Sequence, residues 1–268
     1  MNIESAVVLK QIQHFSGDYQ VLDNVSMEIP MGKNTIIMGP SGCGKSSLLK
    51  IAAGLITPSA GKVILYNRNL DTLSHKKNIL LRRDVGFVFQ DAALWANKSI
   101  YENLSLPLRY HFPKMSKNDI RLHIEKHLKD VPFSDDLNLR PNQLSMGERK
   151  IISFIRGIIT DPNIIFLDEP LASIDYKSGE AILAIIKSLK KREKTIISIT
   201  HNQKVTSLLA EYLIVMKEGK VLAVGNFREL LKTKDKEVQS ILSEVIESIE
   251  SYDQDILELL DSDFFSSS

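Results

Sequence analysis

The sequence has 268 residues, of which 43% are hydrophobic and 25% are charged, and its formal net charge is +1. This length is sufficient for one large domain or two small ones with a sizeable core. The near-neutral charge balance does not favour nucleic acid or an anionic membrane surface as a partner.

Strand-like and helix-like segments alternate along the chain. Residues 6–12 and 19–29 predict antiparallel strands, and residues 91–160 predict a helical insert with its clearest helical periodicity at 119–129. Further strands are predicted at residues 35–38, 62–66, 85–89, 163–167 and 195–199, followed by a hairpin of residues 212–216 and 221–224. Because strands alternate with helices, we expect an α/β fold with a mostly parallel sheet and right-handed crossovers.

Neither a membrane span nor a disulfide is expected. The most apolar stretch, residues 151–159, is shorter than the roughly 18 residues of a membrane span and contains Arg156. The start of the chain carries Glu4 and no positively charged segment, which is unlike a secretory signal. The single cysteine, Cys43, excludes an internal disulfide and is consistent with a reducing cytoplasm. Any membrane function is therefore expected to require a partner.

A glycine-rich loop lies between an apolar strand and a helix. Residues 39–46 match the phosphate-binding pattern G-x-x-x-x-G-K-[ST]. The glycines allow positive φ and a close approach of backbone N–H groups to an anion, and the helix N-terminus also favours phosphate. We expect Lys45 to reach the β- and γ-phosphates and the Ser46 hydroxyl to bind Mg²⁺. A chance glycine-rich turn is the alternative. The residues predicted to bind the nucleotide are Gly39, Pro40, Ser41, Gly42, Cys43, Gly44, Lys45, Ser46 and Ser47.

Two carboxylates end the apolar strand at residues 164–167. Ligands of open α/β sheets bind at the carboxyl ends of the strands. We therefore expect Asp168 to hold the Mg²⁺ shell through water and Glu169 to act as general base on the attacking water. A strand end that simply emerges into solvent is the alternative interpretation.

Two further polar residues also follow predicted strands. His201 could orient the attacking water or stabilise developing charge near the γ-phosphate, although an isolated histidine there is often structural. Gln90 could supply an amide oxygen to Mg²⁺ or to the water. Both predictions depend on the phosphate-binding loop nearby.

Taken in order, these motifs resemble the ATP-binding cassette (ABC) ATPases over roughly residues 5 to 230. The resemblance implies a P-loop NTPase (RecA-like) core with an antiparallel β subdomain and a helical insert, ATP and Mg²⁺ as cofactors, and ATP hydrolysis coupled to transport. The corresponding motifs are Walker A at 39–46, the Q-loop glutamine Gln90, the signature at 144–148, Walker B at 164–169, the D-loop at 173–175 and the switch histidine His201.

The resemblance further implies a head-to-tail dimer in which Ser145 and Gly147 of one copy contact the ATP of the other. Two positions depart from the usual signature: Met146 replaces a glycine and narrows the allowed φ/ψ, and Glu148 replaces a neutral amide. Both raise the question of how efficiently the chain hydrolyses ATP.

An aromatic side chain stacks on adenine in this family. Phe15 is the first candidate here, and Tyr19 is the second. An exposed aromatic beside a turn is the alternative.

The segments at residues 89–95 and 99–109 resemble the Mla/Mce-type lipid-transport ATPases. This resemblance implies a subunit that powers a separate membrane permease for phospholipid transport, peripheral at the cytoplasmic face of the inner membrane, without nucleic acid. A lipid-binding shuttle protein and a small regulatory subunit are further expected partners. Ala92, Leu94 and Trp95 would offer a small apolar docking surface, with core packing as the alternative.

We expect a nucleotide-binding domain at residues 1–230, with its helical subdomain at about 91–160, and a helical acidic extension at 231–268. The extension would suit a regulatory or dimer contact, or pack on its own domain. An importer of amino acids or ions is the alternative transporter. A soluble ABC ATPase of DNA repair, chromosome structure or translation is less favoured, since the long coiled-coil or second cassette usual there is missing, and a small-molecule kinase would not explain the signature.

Overall fold

The computed structural model describes residues 4–133, 136–202, 206 and 209–251, which form two β-sheets covered by helices. The strands in this part of the chain are β1 (Ser5–Ser16), β2 (Tyr19–Pro30), β3 (Asn34–Met38), β4 (Ala60–Leu65), β5 (Arg68–Asn69), β6 (Val85–Val88), β7 (Ile164–Asp168), β8 (Thr195–Ile199), β9 (Tyr212–Lys217) and β10 (Lys220–Asn226). Every strand expected from the sequence is present, with small shifts at the ends.

The first sheet is antiparallel and has the order β2-β1-β4-β5. The second has the order β10-β9-β3-β8-β7-β6 and is parallel except for its β9–β10 edge, which is antiparallel. The neighbours of β3 are therefore β8 and β9, although both follow it by more than 150 residues. This order confirms the expected mostly parallel sheet and brings the carboxyl ends of β3, β7 and β8 to one edge.

Several helices begin at polar caps. Before the helix that begins at Ile100, Ser99 accepts a hydrogen bond from Glu102 N while the Glu102 carboxylate accepts one from Ser99 N. Ser116 and Asp119 make the same reciprocal pair before the helix that begins at Lys117. The helices are α1 (Lys45–Ala52), α2 (His75–Arg83), α3 (Ile100–His111), α4 (Lys117–Leu128), α5 (Met146–Ile158), α6 (Tyr176–Lys191), α7 (Phe227–Leu230) and α8 (Lys236–Ser251), with 3₁₀ turns at Leu70–Thr72 and Pro141–Gln143.

Two hydrophobic clusters hold the sheets and most of the helices together. The first joins the antiparallel sheet to α1 and the parallel sheet, with Leu22 and Leu48 fully buried in it. The second joins helices α3 to α6 to the other side of the parallel sheet, around Phe154 and Ile165. The parallel strands are covered on both faces, which explains their almost continuous apolar sequences.

Helix α8 packs on its own chain. Val238 and Leu242 are buried in a third cluster that contains Ile36 of β3 and Leu213 of β9. These contacts support the interpretation of α8 as an amphipathic helix docked on its own domain. The side chains of Val245 and Ile246 and the acidic end of the chain, residues 252–268, lie outside the described part, so the expected regulatory or dimer contact there stays a prediction.

Candidate functional site

The phosphate-binding loop connects β3 to α1, as the sequence predicts. Gly39, Gly42 and Gly44 all have positive φ, at 152°, 77° and 100°. A Cβ on Gly44 would lie only 2.8 Å from the carbonyl oxygen of Val21 in β2. The loop is therefore held against the antiparallel sheet at a position that only glycine can occupy without strain.

Lys45 lies folded over this loop. Its ammonium donates hydrogen bonds to the carbonyl oxygens of Gly39 at 2.7 Å and Pro40 at 2.9 Å, and its side chain is almost completely buried. A fixed cation and the N-terminus of α1 thus converge on the same loop, and both attract an anion. This arrangement fits the phosphates of a nucleotide.

Ser46 and Asp168 meet at the carboxyl edge of the parallel sheet. The Ser46 hydroxyl donates a hydrogen bond of 3.1 Å to Asp168 Oδ1, and Asp168 is only 3% exposed. A hydroxyl and a carboxylate are oxygen donors of the kind that Mg²⁺ prefers. Among the described residues, no group of three or more His, Cys, Asp or Glu side chains could hold a metal on its own. The pair therefore fits a magnesium ion whose remaining ligands are oxygens of nucleotide phosphate and water.

Glu169 and His201 form the second pair of the site. His201 Nε2 lies 3.2 Å from Glu169 Oε1, and Glu169 has a left-handed backbone with φ of 50°. Burial raises the pKa of the Glu169 carboxyl; His201 and Lys45 oppose this rise, and Asp168 adds to it. A partly buried carboxylate with a raised pKa is suited to accept a proton from water.

A cavity of about 290 Å³ opens beside the loop and next to His201. Its wall includes Lys45 and also Ser240 and Ile241 from α8. The sequence gives no signal that α8 lies at this site, because nothing in the local pattern of Ser240 and Ile241 distinguishes them from other helix positions.

Gln90 does not line this cavity. It is exposed just after β6 and lines a second cavity of about 320 Å³, together with Met146 and Lys150 of α5. The role of Gln90 at the metal or the attacking water stays a prediction. The structure brings together Lys45, Ser46, Asp168, Glu169 and His201 and places Gln90 at the neighbouring strand end.

The signature residues form the N-terminus of α5. Ser145 Oγ accepts a hydrogen bond from Glu148 N at 3.2 Å, and the Glu148 carboxylate accepts from Ser145 N and Oγ, both at 2.9 Å. The unusual Glu148 therefore completes a capping box, a role that glutamate and glutamine share. Met146 is 51% exposed at the first helical position, whereas Gly147 is buried against the start of α6. Neither Ser145 nor Gly147 lines the cavity at the P-loop of its own chain.

The two adenine-stacking candidates lie on the β1–β2 hairpin. Phe15 is 42% exposed and Tyr19 is 69% exposed, on adjacent strands. Since Val21, two residues after Tyr19, touches the P-loop at Gly44, the hairpin lies beside the nucleotide-binding loop. Both aromatic residues stay candidates for the adenine platform.

The parallel strands position the phosphate-binding loop and, beside its serine, a buried carboxylate. This arrangement defines a P-loop nucleoside triphosphatase. Within the described residues, no helix combines the length and apolar character of a membrane span. The family model described as ABC transporter matches residues 22–172, and the chain belongs to this family.

Relatives span several kinds of transporter. An uncharacterised ABC transporter ATP-binding protein of Methanocaldococcus jannaschii, MJ1508, is 37% identical over 206 residues, which are 76% of this chain and 91% of that protein. The intermembrane phospholipid transport ATP-binding protein MlaF of Haemophilus influenzae is 31% identical over 240 residues, 89% of this chain and 90% of MlaF. The spermidine/putrescine import ATP-binding protein PotA of Thermotoga maritima is 32% identical over 232 residues, 86% of this chain and 61% of PotA.

The fold also matches a solved ATP-binding cassette. A dimeric structure of MJ0796, in a post-hydrolysis state bound to ADP and Pi, has a TM-score of 0.75 at 33% identity and covers 83% of this chain and 99% of that one. The chain is therefore an ABC ATPase, the nucleotide-binding subunit of a transporter, and its cofactors are ATP and Mg²⁺.

Proposed function

We propose that two copies of the chain pair head to tail and hold each ATP between the P-loop of one copy and Ser145 and Gly147 of the other. The N-terminus of α5 is where backbone N–H groups and the helix dipole favour a phosphate. Ser145 is exposed there, and it does not line the cavity of its own P-loop. The MJ0796 structures, which are dimeric, support pairing of two copies.

Within each site, Ser46 and Asp168, which share a hydrogen bond, would hold the magnesium ion, with Gln90 as a further oxygen donor. Bound Mg²⁺ neutralises charge on the phosphates. Lys45 adds a fixed positive charge at the loop.

Glu169 accepts the proton of the attacking water. His201, 3.2 Å away, holds its carboxylate in one orientation. The observation that carries this assignment is the partly buried Glu169 carboxylate, which lies beside His201 and Asp168 and has its pKa raised by burial.

Two substitutions test these roles in the purified full-length chain. Glu169→Gln removes the proton acceptor while preserving shape, so we expect ATP binding to persist and turnover to fall by about 10²-fold or more. Lys45→Ala removes the cation at the loop, and nucleotide binding itself should weaken. Glu180→Gln and Lys177→Ala change exposed residues of α6 and serve as matched controls. Undiminished hydrolysis in Glu169→Gln would refute the general-base role, and unchanged affinity in Lys45→Ala would refute the phosphate-binding role.

We propose that closure and reopening of the dimer drive a separate integral-membrane permease. The chain would then be peripheral at the cytoplasmic face of the inner membrane. The segment after Gln90 supports a docking surface, although it differs from the one expected. Ala92 is buried and Leu94 packs against the helical core, whereas Trp95 is 45% exposed. Only Trp95 of the three thus offers a sizeable apolar contact.

The same segment has an unusual backbone. Ala92 and Ala93 both adopt left-handed conformations, with φ of 61° and 48°. The Arg156 guanidinium donates hydrogen bonds to their carbonyl oxygens, at 3.4 and 2.9 Å. Since such conformations persist only where surrounding contacts hold them, Arg156 fixes the shape of the segment that would face the permease.

For the cargo, we propose phospholipid. The similarity to MlaF extends over 90% of that protein, and the segments at residues 89–95 and 99–109 carry the resemblance to lipid-transport ATPases. A lipid-binding shuttle protein and a small regulatory subunit would complete the assembly. Import of a small solute is the second candidate, because PotA matches at 32% identity.

Purification of the tagged full-length chain from its native membranes distinguishes these cargoes. We expect an integral-membrane protein to co-purify, and ATP turnover of that complex to rise with added phospholipid vesicles. Stimulation by spermidine or another small solute, without a response to phospholipid, would favour the importer. Absence of any co-purifying membrane protein would contradict the permease itself.

A further inference from the structure

Lys150 is a buried lysine in the first half of α5. Its side chain is 7% exposed, and within the described part of the chain no hydrogen bond or salt bridge holds its ammonium. Lysine is rarely buried without a partner, because removing its charge from water is costly. Its position therefore requires an explanation in terms of the groups around it.

Lys150 lines the cavity of about 320 Å³ together with Gln90 and Asp91, and part of the cavity wall is formed by Ala172 and Ser173. That wall belongs to the turn that begins at Glu169, since the Ala172 amide donates a hydrogen bond of 3.2 Å to the Glu169 carbonyl oxygen. The cavity thus separates the segment after β6 from the turn after β7, and Lys150 lies at its α5 side.

Two carboxylates act electrostatically on Lys150, and one of them, Asp91, lines the same cavity. Burial lowers the pKa of Lys150, and the negative charges of Asp91 and Glu169 oppose this effect. Arg149 also lines the cavity, and its Nε is buried without a hydrogen-bond partner among the described residues. Attraction to carboxylates on two separate segments gives the Lys150 ammonium a physical role.

We propose that Lys150 is a positioning residue for ATP hydrolysis, which holds Asp91, and with it the adjacent Gln90, at a defined distance from the turn that carries Glu169. The inference rests on the proposed role of Glu169 as general base. Because small displacements of reacting groups cost up to about 10²-fold in rate, loosening these two segments should lower turnover more than nucleotide binding.

The test is Lys150→Met in the full-length chain, with ATP turnover, KM for ATP and thermal unfolding measured together. We expect kcat to fall by about tenfold or more, within the range that misplacement of reacting groups produces, while KM changes less than about twofold, as expected when ground-state binding is kept. Methionine has a volume similar to that of lysine, and the substitution removes a charge from a buried residue. Tm should therefore stay the same or rise. Lys150→Arg keeps the charge and should restore most of kcat.

Two further variants isolate the contact. Lys129→Met changes an exposed lysine of the helical region and should leave kcat unchanged. If Lys150 acts through Asp91, the double variant Lys150→Met/Asp91→Asn should be no slower than Lys150→Met alone. Fully additive losses of kcat in the double variant would overturn the inference.

The outcomes separate this inference from the proposed function. An unchanged kcat in Lys150→Met, or a loss of kcat that follows a loss of folded protein, overturns the positioning role. If Glu169→Gln abolishes turnover while Lys150→Met does not reduce it, only the inference fails. Full turnover in Glu169→Gln refutes the general-base role, and the inference with it.

Discussion

Replacing Gly147 by alanine tests the contact between the signature helix α5 and the start of α6. A Cβ at this position would lie less than 3.0 Å from both Asp175 Oδ2 and Ser178 Oγ, a separation that real Cβ atoms essentially never show. Asp175 is the N-cap of α6, where its Oδ1 accepts a hydrogen bond of 3.0 Å from Ser178 N. A single methyl group must therefore displace two side chains, one of which is the cap.

The magnitude follows from three effects. Loss of an N-cap costs about 1 kcal/mol, and insertion of one methyl group into a packed contact costs about 1–3 kcal/mol. Alanine returns up to about 1 kcal/mol through its higher helix propensity. We therefore expect Gly147→Ala to lower the free energy of unfolding by about 1–4 kcal/mol, as the difference of these terms.

Denaturant titration of the full-length chain measures this change. Gly179→Ala is the matched control, because Gly179 lies inside α6 and the nearest atom to an added Cβ there, Ile174 Cγ2, is 3.6 Å away. This control should be stabilised by up to about 1 kcal/mol. The opposite signs of the two changes are the test. Equal or greater stability in Gly147→Ala would show that α5 and α6 do not approach as closely as described.

Two other predictions concern polar contacts. Glu148→Gln should change the free energy of unfolding by less than about 0.5 kcal/mol and keep ATP turnover, since glutamine can also accept from Ser145 N; a large loss of stability would contradict the capping role. Burial acts to raise the pKa of Asp161, but hydrogen bonds from Arg192 and Lys194 outweigh it and hold the pKa below its usual value. Ionised Asp161 therefore stabilises the fold above its unfolded pKa of about 4, and the contribution is lost as the pH falls. Asp161→Asn should lower stability at pH 7, and the difference from the original chain should shrink on acidification; a constant difference would refute the linkage.

The local features of the fold and site follow from the sequence. The spacing of Gly39, Gly44 and Lys45 predicts a phosphate-binding loop because the required backbone conformations and the cation all lie within one short segment. The apolar strand before Asp168 predicts a buried strand end, and the structure places it there. Short-range chemistry of this kind depends on neighbouring residues, so the sequence alone determines it.

Contacts between distant segments are decided by tertiary packing. The order of the parallel strands brings Asp168 to Ser46, across 122 positions of the chain. The same packing buries Lys150 in front of a cavity and places Ser240 beside the P-loop, although neither carries a local signal. It also buries Ala92, which the sequence analysis placed on a docking surface. A residue's exposure and its distant neighbours depend on how helices and sheets meet, and the periodicity of a single segment does not contain that information.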